Sequence, residues 1–593
     1  MTVVMKSVLE ALSQCRHGVL ESPTGTGKTA AVLCAALAWQ RHRMEKTGSA
    51  PQIMYATRTH AQVRQAIKEL RRTPYRPVVA VLGSREAGLC VNWQVVHGAD
   101  HDGQVRQRCR QARQQKSCEF HQGLSSPALP DLAMAKLRAN EPWDIEDAAS
   151  FANATTCCPY YVAHSLARHA ELVFCPYSYV LDPSVRQAAG LSCADLTGRI
   201  VILDEAHNVE SVCRDAGSAE LSLDQLKAAL FAVKRLLGEE GPSKSVTVTV
   251  PQKNGDDLGG FFVPATEVSE PVSKNLKRPN GLQRSLKPLA ALLQRLVNFV
   301  SDVVEPRSYA PHLPDHHRVE ALLRILKLED EVLLRGQPCK AETLLRDLAG
   351  WGAQLELAAS LCGQMAAAVR SPELYVARVH PAAKGQQAHL HLWLMSAEGT
   401  LGKLANELHA LVLMSGTLSP LPTTIAELGP TFQSRALAPV AANHVVGPEA
   451  LRVVTVNQHS PAATSKLECT FHAWKRQPFL LSIGHALLTV AKAIPAGILV
   501  FLPSYDLLER CLEAWQQVEG QTVELPRKGR GRGRTKRRGA VERLPEEIPV
   551  KTGSKSILDE LREAHAHVIA TCAICTTCKG LCLGTRSLVC EVS

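Results

Sequence analysis

A run of eight residues near the start of the chain has the types and spacing of a phosphate-binding loop. It consists of Ser22, Pro23, Thr24, Gly25, Thr26, Gly27, Lys28 and Thr29, with Ser22 where the general G-x-x-x-x-G-K-[ST] pattern has its first glycine. In such a loop backbone N–H groups surround the phosphates, Lys28 binds the β and γ oxygens, and the Thr29 hydroxyl ligates Mg²⁺. The run predicts a nucleoside triphosphate site, and the alternative is a Gly-Thr turn before a buried helix.

A second group, Asp204-Glu205-Ala206-His207, has the carboxylates that triphosphate hydrolysis needs. Asp204 is expected to hold the magnesium ion and Glu205 to polarise the attacking water, while His207 reports the nucleotide state to other elements. A lone Asp-Glu pair would be explained more simply as a solvated acidic turn after a strand. Because both groups occur in the expected order, the sequence favours a nucleotide triphosphatase.

The residues around these groups predict an α/β fold. Residues 18–20 have the composition of a short buried strand, and residues 30–39 that of a helix. Residues 199–203 form a second apolar segment, which ends at the two carboxylates. A strand, a tight loop and a helix N-terminus are the elements that a triphosphate site requires.

Composition limits the class of protein. The 593 residues predict three or four domains, and 45% hydrophobic with 21% charged residues is typical of a soluble globular chain. No apolar run is long enough to span a membrane, and the N-terminal residues lack the pattern of a signal peptide. These features predict an intracellular protein with no membrane partner. The net charge of +11 favours a polyanionic partner, although the excess is diluted over a long chain.

Nineteen cysteines in a chain without a secretion signal predict reduced thiols and metal ligands in preference to disulfides. Four of them lie between the two nucleotide groups, in basic surroundings, and are Cys90, Cys109, Cys118 and Cys158. Their wide spacing matches neither a zinc finger nor a ferredoxin run. Spacing alone therefore leaves an iron–sulphur cluster, zinc and buried free cysteines open.

Several segments taken together are more specific than any one of them. They are Glu21–Thr29, Tyr55–His60, Leu82–Glu86, Cys158–Tyr161, Asp204–Asn208 and Met414–Leu418. In type and order they resemble the iron–sulphur superfamily 2 DNA helicases of the xeroderma pigmentosum group D type. The resemblance extends, with gaps, from about Val8 to Trp515.

The resemblance implies roles for the matched positions. The four cysteines named above would hold a 4Fe-4S cluster in a small domain that lies against the DNA. Arg108 and Arg110 would contact phosphates, the alternative being a solvated basic helix. The segment Arg58, Thr59 and His60 would touch the backbone of single-stranded DNA. The segment Ser415, Gly416 and Thr417 would couple hydrolysis to strand movement, although alone it is an ordinary turn. The implied cofactors are ATP, Mg²⁺ and the cluster, and the implied partners are single-stranded DNA and DNA junctions.

The same resemblance implies a RecA-like parallel-sheet motor domain interrupted by an iron–sulphur domain and a helical arch domain, and followed by an incomplete second RecA-like domain. The predicted boundaries are 1–81, 166–215 and 386–440 for the first motor domain, 82–165 for the iron–sulphur domain, 216–385 for the arch, 441–567 for the partial second motor domain and 568–593 for a Cys-rich divergent tail. A capping box at Ser222 and Gln225 predicts where an arch helix begins. Residues 527–539 form a basic insertion in which eight of thirteen residues are Lys or Arg, typical of a disordered segment.

The function that this implies is an ATP-dependent, 5′ to 3′ DNA helicase in DNA repair, recombination and telomere maintenance, located in the nucleus. The sequence also favours one alternative. The family's second motor domain carries Ser-Glu-Gly-x-Asp-like and Gln-x-x-Gly-Arg-x-x-Arg motifs, and neither is found in this sequence. Because such arginines stabilise the γ-phosphate in the transition state, the chain as written is alternatively an ATP- and DNA-binding iron–sulphur scaffold. Whether the cysteines of the tail bind zinc, or the tail is a truncated or mispredicted end, stays open.

Overall fold

The structure is a computed structural model. It describes residues 1–97, 102–125, 142, 144–189, 191, 193–239, 282–304, 332–335, 340–347, 353–380, 388–444, 447–450, 453–457, 467–493, 498–516, 556–557, 560–561, 568–572 and 581–582. The chain divides into two compact units, Met1–Val446 and Gly447–Ser593. The basic insertion at 527–539 lies outside the described residues, as does most of the Cys-rich tail.

The described strands and helices alternate along most of the first unit. The strands are β1 (Gly18–Glu21), β2 (Ile53–Thr57), β3 (Val79–Val81), β4 (Leu172–Pro176), β5 (Ile200–Asp204), β6 (Ala219–Ser222), β7 (Tyr375–His380), β8 (His389–Leu394), β9 (Ala410–Ser415), β10 (Val440–Ala441), β11 (Ile498–Leu502), β12 (Val568–Cys572) and β13 (Leu581–Cys582). The helices are α1 (Thr2–Ser13), α2 (Lys28–Thr47), α3 (His60–Arg71), α4 (Trp93–Val96), α5 (Asp102–Gln114), α6 (Glu119–Gln122), α7 (Ile145–Thr155), α8 (Pro159–Leu166), α9 (Ser178–Leu181), α10 (Pro183–Ala188), α11 (Cys193–Leu196), α12 (Val209–Gly217), α13 (Leu223–Leu237), α14 (Leu282–Val304), α15 (Lys340–Asp347), α16 (Ala353–Arg370), α17 (Glu398–Glu407), α18 (Leu421–Glu427), α19 (Pro430–Arg435), α20 (Gln477–Ala493) and α21 (Tyr505–Gln516). Short 3-10 turns and one π-turn, Arg85–Leu89, complete the described elements.

A seven-stranded parallel sheet forms the centre of the first unit, in the order β10-β1-β9-β5-β2-β4-β3. Every residue of β2, β4, β5 and β9 is buried, which is expected where helices cover both faces of a parallel sheet. The apolar core around this sheet includes Leu20, Val32, Tyr55, Phe174 and Met414. The predicted α/β fold with a parallel sheet is therefore confirmed.

Between β3 and β4, the described residues form five α-helices and the π-turn. Its helix α7 begins at a capping box formed by Asp144 and Asp147. Ile145 and Phe151 of α7 belong to the same core as the parallel sheet. A small separate cluster of Val95, Val105 and Cys109 lies between α4 and α5.

A second, three-stranded sheet has the order β6-β8-β7, and both strand pairs are antiparallel. Leucines on one face of this sheet pack against α13, α14 and α16 in a core of their own. Helix α13 begins at Ser222, whose side chain forms the predicted capping box with Gln225. Strand β8 belongs to the same sheet as β6 and β7, so the predicted boundary at residue 385 divides one sheet.

In the second unit, β11 and β12 are parallel and β13 is antiparallel to β12. Helices α20 and α21 pack together around the fully buried Trp515, whose indole N–H donates to the Leu480 carbonyl at 2.8 Å. Across the residues that the structure describes, we find no helix with the length and apolar character that a membrane crossing requires.

Candidate nucleotide and metal sites

Four neighbouring strands of the parallel sheet end at one edge, which we call the nucleotide edge. In the order β1-β9-β5-β2 they finish at Glu21, Ser415, Asp204 and Thr57. The carboxyl ends of adjacent parallel strands form the crevice in which open α/β sheets bind ligands. The structure therefore brings four motifs, which are far apart in the sequence, to one edge of one sheet.

The predicted phosphate loop joins β1 to α2. Gly25 and Gly27 have positive φ angles of 79° and 77°, a conformation that an L side chain adopts only with strain. The Ser22 hydroxyl lies 2.8 Å from the Thr26 hydroxyl, which also donates to the Pro23 carbonyl at 2.8 Å. The loop is thus folded on itself, and α2 begins at Lys28 with its free N–H groups directed toward the loop.

The Lys28 ammonium group lies between the two predicted acidic residues. Its Nζ atom donates to Glu205 Oε1 at 2.8 Å and lies 3.6 Å from Asp204 Oδ1. Burial raises the pKa of the Asp204 carboxyl, and Lys28 lowers it by a smaller amount. Lys28 and Asp204 are both almost fully buried, so this charged set is held away from water.

The sequence did not indicate a role for Tyr55, which contacts the predicted magnesium ligand Asp204. Its hydroxyl donates to Asp204 Oδ2 at 2.7 Å. The Tyr177 hydroxyl donates to the backbone carbonyl of Asp204. Both tyrosines are buried, and burial raises the pKa of each well above its ordinary value. A tyrosine at the centre of a strand has no sequence signal that separates this role from core packing.

Glu205, His207 and Ser415 form a hydrogen-bonded chain from the acidic group to β9. The Ser415 hydroxyl donates to Glu205 Oε2 at 3.3 Å and lies 2.8 Å from His207 Nδ1. Burial lowers the pKa of His207, so its imidazole is neutral at pH 7. Glu205 has a left-handed backbone with φ of 57°. A Cβ atom added to Gly416 would lie 3.2 Å from Thr24 Oγ1, so the Ser415–Thr417 segment lies close against the phosphate loop.

The predicted DNA-contacting segment follows β2. Arg58 donates to the Asn208 side chain at 3.1 Å, which connects it to the turn after the acidic residues. Thr59 caps α3 in a reciprocal capping box with Gln62. His60 lies close to Gly83, where an added Cβ would approach its ring to 2.9 Å. Helix capping therefore occupies the Thr59 hydroxyl, a local role that the sequence analysis did not consider.

The four predicted cluster cysteines line one common cavity. Cys90 follows the π-turn, Cys109 lies on α5, and Cys118 and Cys158 are the residues just before α6 and α8. Burial raises the pKa of the Cys90 thiol to about 11 and also raises that of Cys158. The neighbouring Cys157 does not line the cavity, and its sulfur lies 2.8 Å from the Thr155 hydroxyl.

The distances between the four sulfurs can be compared with those in a tetrahedral zinc site. Tetrahedral zinc bound at about 2.3 Å requires sulfurs about 3.8 Å apart. In the described part of the chain, no three of the four thiols lie within 4.8 Å of one another. The four thiols as placed therefore do not form a closed tetrahedral zinc site.

Two side chains without a predicted role lie at or beside this cavity. The Asn92 amide donates to Cys118 Sγ at 3.4 Å. The Arg85 guanidinium lies over the Tyr160 ring at 3.8 Å, and favourable interactions with Tyr160 and Cys109 outweigh its burial and raise its pKa. Of the two predicted phosphate contacts, Arg108 donates to the His97 carbonyl at 2.7 Å, and Arg110 lies on the same helix, α5.

Residues 55–226 match the family model described as DEAD_2. Regulator of telomere elongation helicase 1 of Mus musculus is 29% identical to this chain over 592 residues, which cover 86% of the chain and 46% of that protein. The Homo sapiens protein of the same name is 28% identical over 588 residues, covering 86% and 45%. A solved chain named XPD_Helicase aligns with a TM-score of 0.41 and 16% identity, over 86% of this chain and 73% of that one.

The chain thus spans about half the length of the curated relatives that it matches. The match to DEAD_2 covers the strands that carry Tyr55 and Asp204 and the whole segment with the four cysteines. The chain is thus similar to the DEAD_2 family over residues 55–226 and to regulator of telomere elongation helicase 1 along most of its own length.

Proposed function

We propose that this protein is an ATP-dependent DNA helicase that moves 5′ to 3′ and acts in DNA repair, recombination and telomere maintenance in the nucleus. One observation carries the proposal. A continuous set of contacts runs from the phosphate-loop Lys28 through Glu205 to Ser415 on β9. Because Lys28 would exchange Glu205 for phosphate oxygens when ATP binds, the nucleotide would act on Glu205 and, through its hydrogen bond with Ser415, on the Ser415–Thr417 segment.

ATP and Mg²⁺ are expected for a helicase of this family. The backbone of residues 22–27 and Lys28 would hold the phosphates, and Thr29 and Asp204 would hold the metal ion. When bound, Mg²⁺ neutralises charge on the phosphates. Glu205 is the group available to orient water. Glu205 Oε1 lies 2.8 Å from Lys28 Nζ, so Lys28 would exchange this partner for phosphate oxygens when it binds a triphosphate.

We propose that residues 82–165 are an iron–sulphur domain in which Cys90, Cys109, Cys118 and Cys158 hold a 4Fe-4S cluster. The convergence of the four cysteines on one cavity supports this assignment. Arg108 and Arg110 are proposed contacts to DNA phosphates, together with Arg58, Thr59 and His60 near the nucleotide edge.

The remaining domains follow from the same proposal. Residues 1–81, 166–215 and 386–440 contribute to the first motor domain, and 216–385 form the arch. Residues 441–567 are a partial second motor domain, and 568–593 are a divergent tail. Single-stranded DNA and DNA junctions are the proposed substrates.

DNA-stimulated ATP hydrolysis by the full chain tests the proposal. We expect turnover that rises with single-stranded DNA and that Lys28→Ala abolishes. The exposed Lys46, at the far end of the same helix, supplies the matched control, and Lys46→Ala should retain the activity. ATP and DNA binding without any turnover would instead support the scaffold alternative.

A further inference from the structure

Two histidines and a glutamate meet on the three-stranded sheet, away from the nucleotide edge and the cysteines. His389 and His391 are alternate residues of β8, and Glu220 lies on the adjacent antiparallel strand β6, directly opposite His391. Glu220 Oε1 lies 3.3 Å from His389 Nδ1, and Glu220 Oε2 lies 3.8 Å from His391 Nδ1. One carboxylate thus faces both imidazoles across the strand pair.

The opposite face of the sheet explains why this set is held in place. Leu221, Leu390 and Leu392, which alternate with the three polar residues, are buried in the core shared with the arch helices. Because side chains alternate across a strand, the leucines fix the three polar side chains on the other face. The His391 ring also lies 5.1 Å from the Trp393 ring, which restricts its rotation.

One ring nitrogen of His389 lacks a hydrogen-bond partner. Its Nδ1 atom is buried and has no hydrogen-bond partner, although the Glu220 carboxylate is only 3.3 Å away. A buried polar atom without a hydrogen-bond partner destabilises the fold. A cation between the two groups would satisfy this nitrogen and the carboxylate together.

We propose that Glu220, His389 and His391 form a binding site for a divalent metal ion, with zinc as the ion that the donor set favours. Zinc bonded to nitrogen and oxygen at about 2.0–2.1 Å in a tetrahedron requires donor atoms about 3.4 Å apart. The observed separations of 3.3 and 3.8 Å need only small side-chain rotations to meet this value. Two neutral imidazoles and one carboxylate are an established zinc donor set, and they leave a fourth position for water.

The site has a structural consequence for the first unit. Strand β6 follows α12, the helix that begins just after His207, and β8 leads through α17 to β9 and Ser415. A metal ion between β6 and β8 would therefore clamp the two strands that leave and re-enter the motor sheet. Because an ion bound only by the folded chain stabilises it, zinc would raise the stability of this sheet.

Cobalt titration of the full chain distinguishes this site from the cysteine cavity. We expect one Co²⁺ ion bound with the visible absorption of nitrogen and oxygen ligands, without the sulfur charge-transfer band of a thiolate site, and displaced by zinc. His389→Ala, His391→Ala and Glu220→Gln should each weaken this binding by more than about 100-fold, since even the loss of a group behind a ligand weakens metal binding by about 10–100-fold. Zinc should raise the thermal unfolding midpoint of the wild type but not of these variants.

The controls separate the outcomes. His42 is an exposed histidine on α2, and His42→Ala should bind cobalt as the wild type does. Glu220→Gln keeps the size of the side chain and serves as the test if a histidine variant fails to fold. Lys28→Ala should leave cobalt binding unchanged, so failure of the proposed helicase activity does not affect this result. Equal cobalt affinity in wild type and Glu220→Gln, or cobalt bound only with sulfur charge transfer, would overturn the proposal.

Discussion

Replacing Tyr55 by phenylalanine removes one hydroxyl group from beneath the nucleotide edge and leaves the buried ring in place. That hydroxyl donates to Asp204 Oδ2 at 2.7 Å. Asp204 keeps the N–H of Glu205, which donates to it at 2.9 Å, and the ion pair with Lys28. The substitution thus removes one of several partners of the carboxylate and makes no cavity larger than the lost oxygen.

Two magnitudes follow from this geometry. A buried hydrogen bond to a charged group contributes about 1.5–3 kcal/mol, and no water can replace it because Tyr55 is fully buried. We therefore expect the free energy of local opening of β2 and β5 to fall by about that amount at pH 7. Loss of a hydrogen bond to a metal ligand weakens metal binding by about 10–100-fold, so ATP binding should require correspondingly more Mg²⁺.

The pH dependence adds a check with a definite sign. The hydrogen bond to Tyr55 holds down the pKa of Asp204, which burial raises, so Tyr55→Phe should raise it further. When acid protonates Asp204, the lost bond is one between neutral groups, which contributes only about 0.5–1.5 kcal/mol. The difference in stability between wild type and variant should therefore shrink as the pH falls.

Amide hydrogen exchange of β2 and β5 measures local opening, and a fluorescent ATP analogue titrated at several Mg²⁺ concentrations measures the metal requirement. Tyr375→Phe is the matched control, because Tyr375 is a buried tyrosine in the three-stranded sheet. The reasoning is refuted if Tyr55→Phe and Tyr375→Phe change the Mg²⁺ requirement equally. It is also refuted if the exchange of β2 and β5 is unchanged in Tyr55→Phe.

Three further predictions concern other groups. Burial raises the pKa of Asp204 above 3.8, so the stability of the fold falls as the pH rises from 3.8 through that raised pKa. Asp204→Asn should therefore be more stable than wild type at pH 7 in urea unfolding, yet lose Mg²⁺-dependent ATP binding. Burial lowers the pKa of His17 from 6.5 to about 3, so between these pH values only the unfolded chain binds the proton. The free energy of unfolding therefore decreases by about 1.4 kcal/mol for each unit by which the pH is lowered in this range. The difference in urea-unfolding free energy between wild type and His17→Phe should change with that slope. Protein purified without air should be brown and hold about four irons per chain; Cys118→Ser should remove this iron and Cys157→Ser should not, whereas stoichiometric zinc would contradict the cluster.

Local patterns in the sequence were sufficient for much of the fold. The capping box at Ser222, the strand before Asp204 and the helix after the phosphate loop each depend on residues a few positions apart. Such features are encoded by backbone conformation and by the spacing of apolar residues, which any window of sequence contains. The parallel sheet was predicted from the resemblance of the motifs to a helicase family. The pairing of β8 with β6 was not predicted, because it joins strands across a long insertion.

The contacts that complete the candidate sites depend on distant parts of the chain. Tyr55 reaches Asp204 only because β2 and β5 are neighbours in the sheet. Nothing in the sequence of either strand predicts that pairing. Strand register likewise places Glu220 opposite His391, and a shift by one residue would move Glu220 to the buried face. The sequence alone determined which residues carry charge, thiols and loop conformations. The tertiary structure alone decided which of them meet, because strand order and register are set by burial of the whole apolar surface.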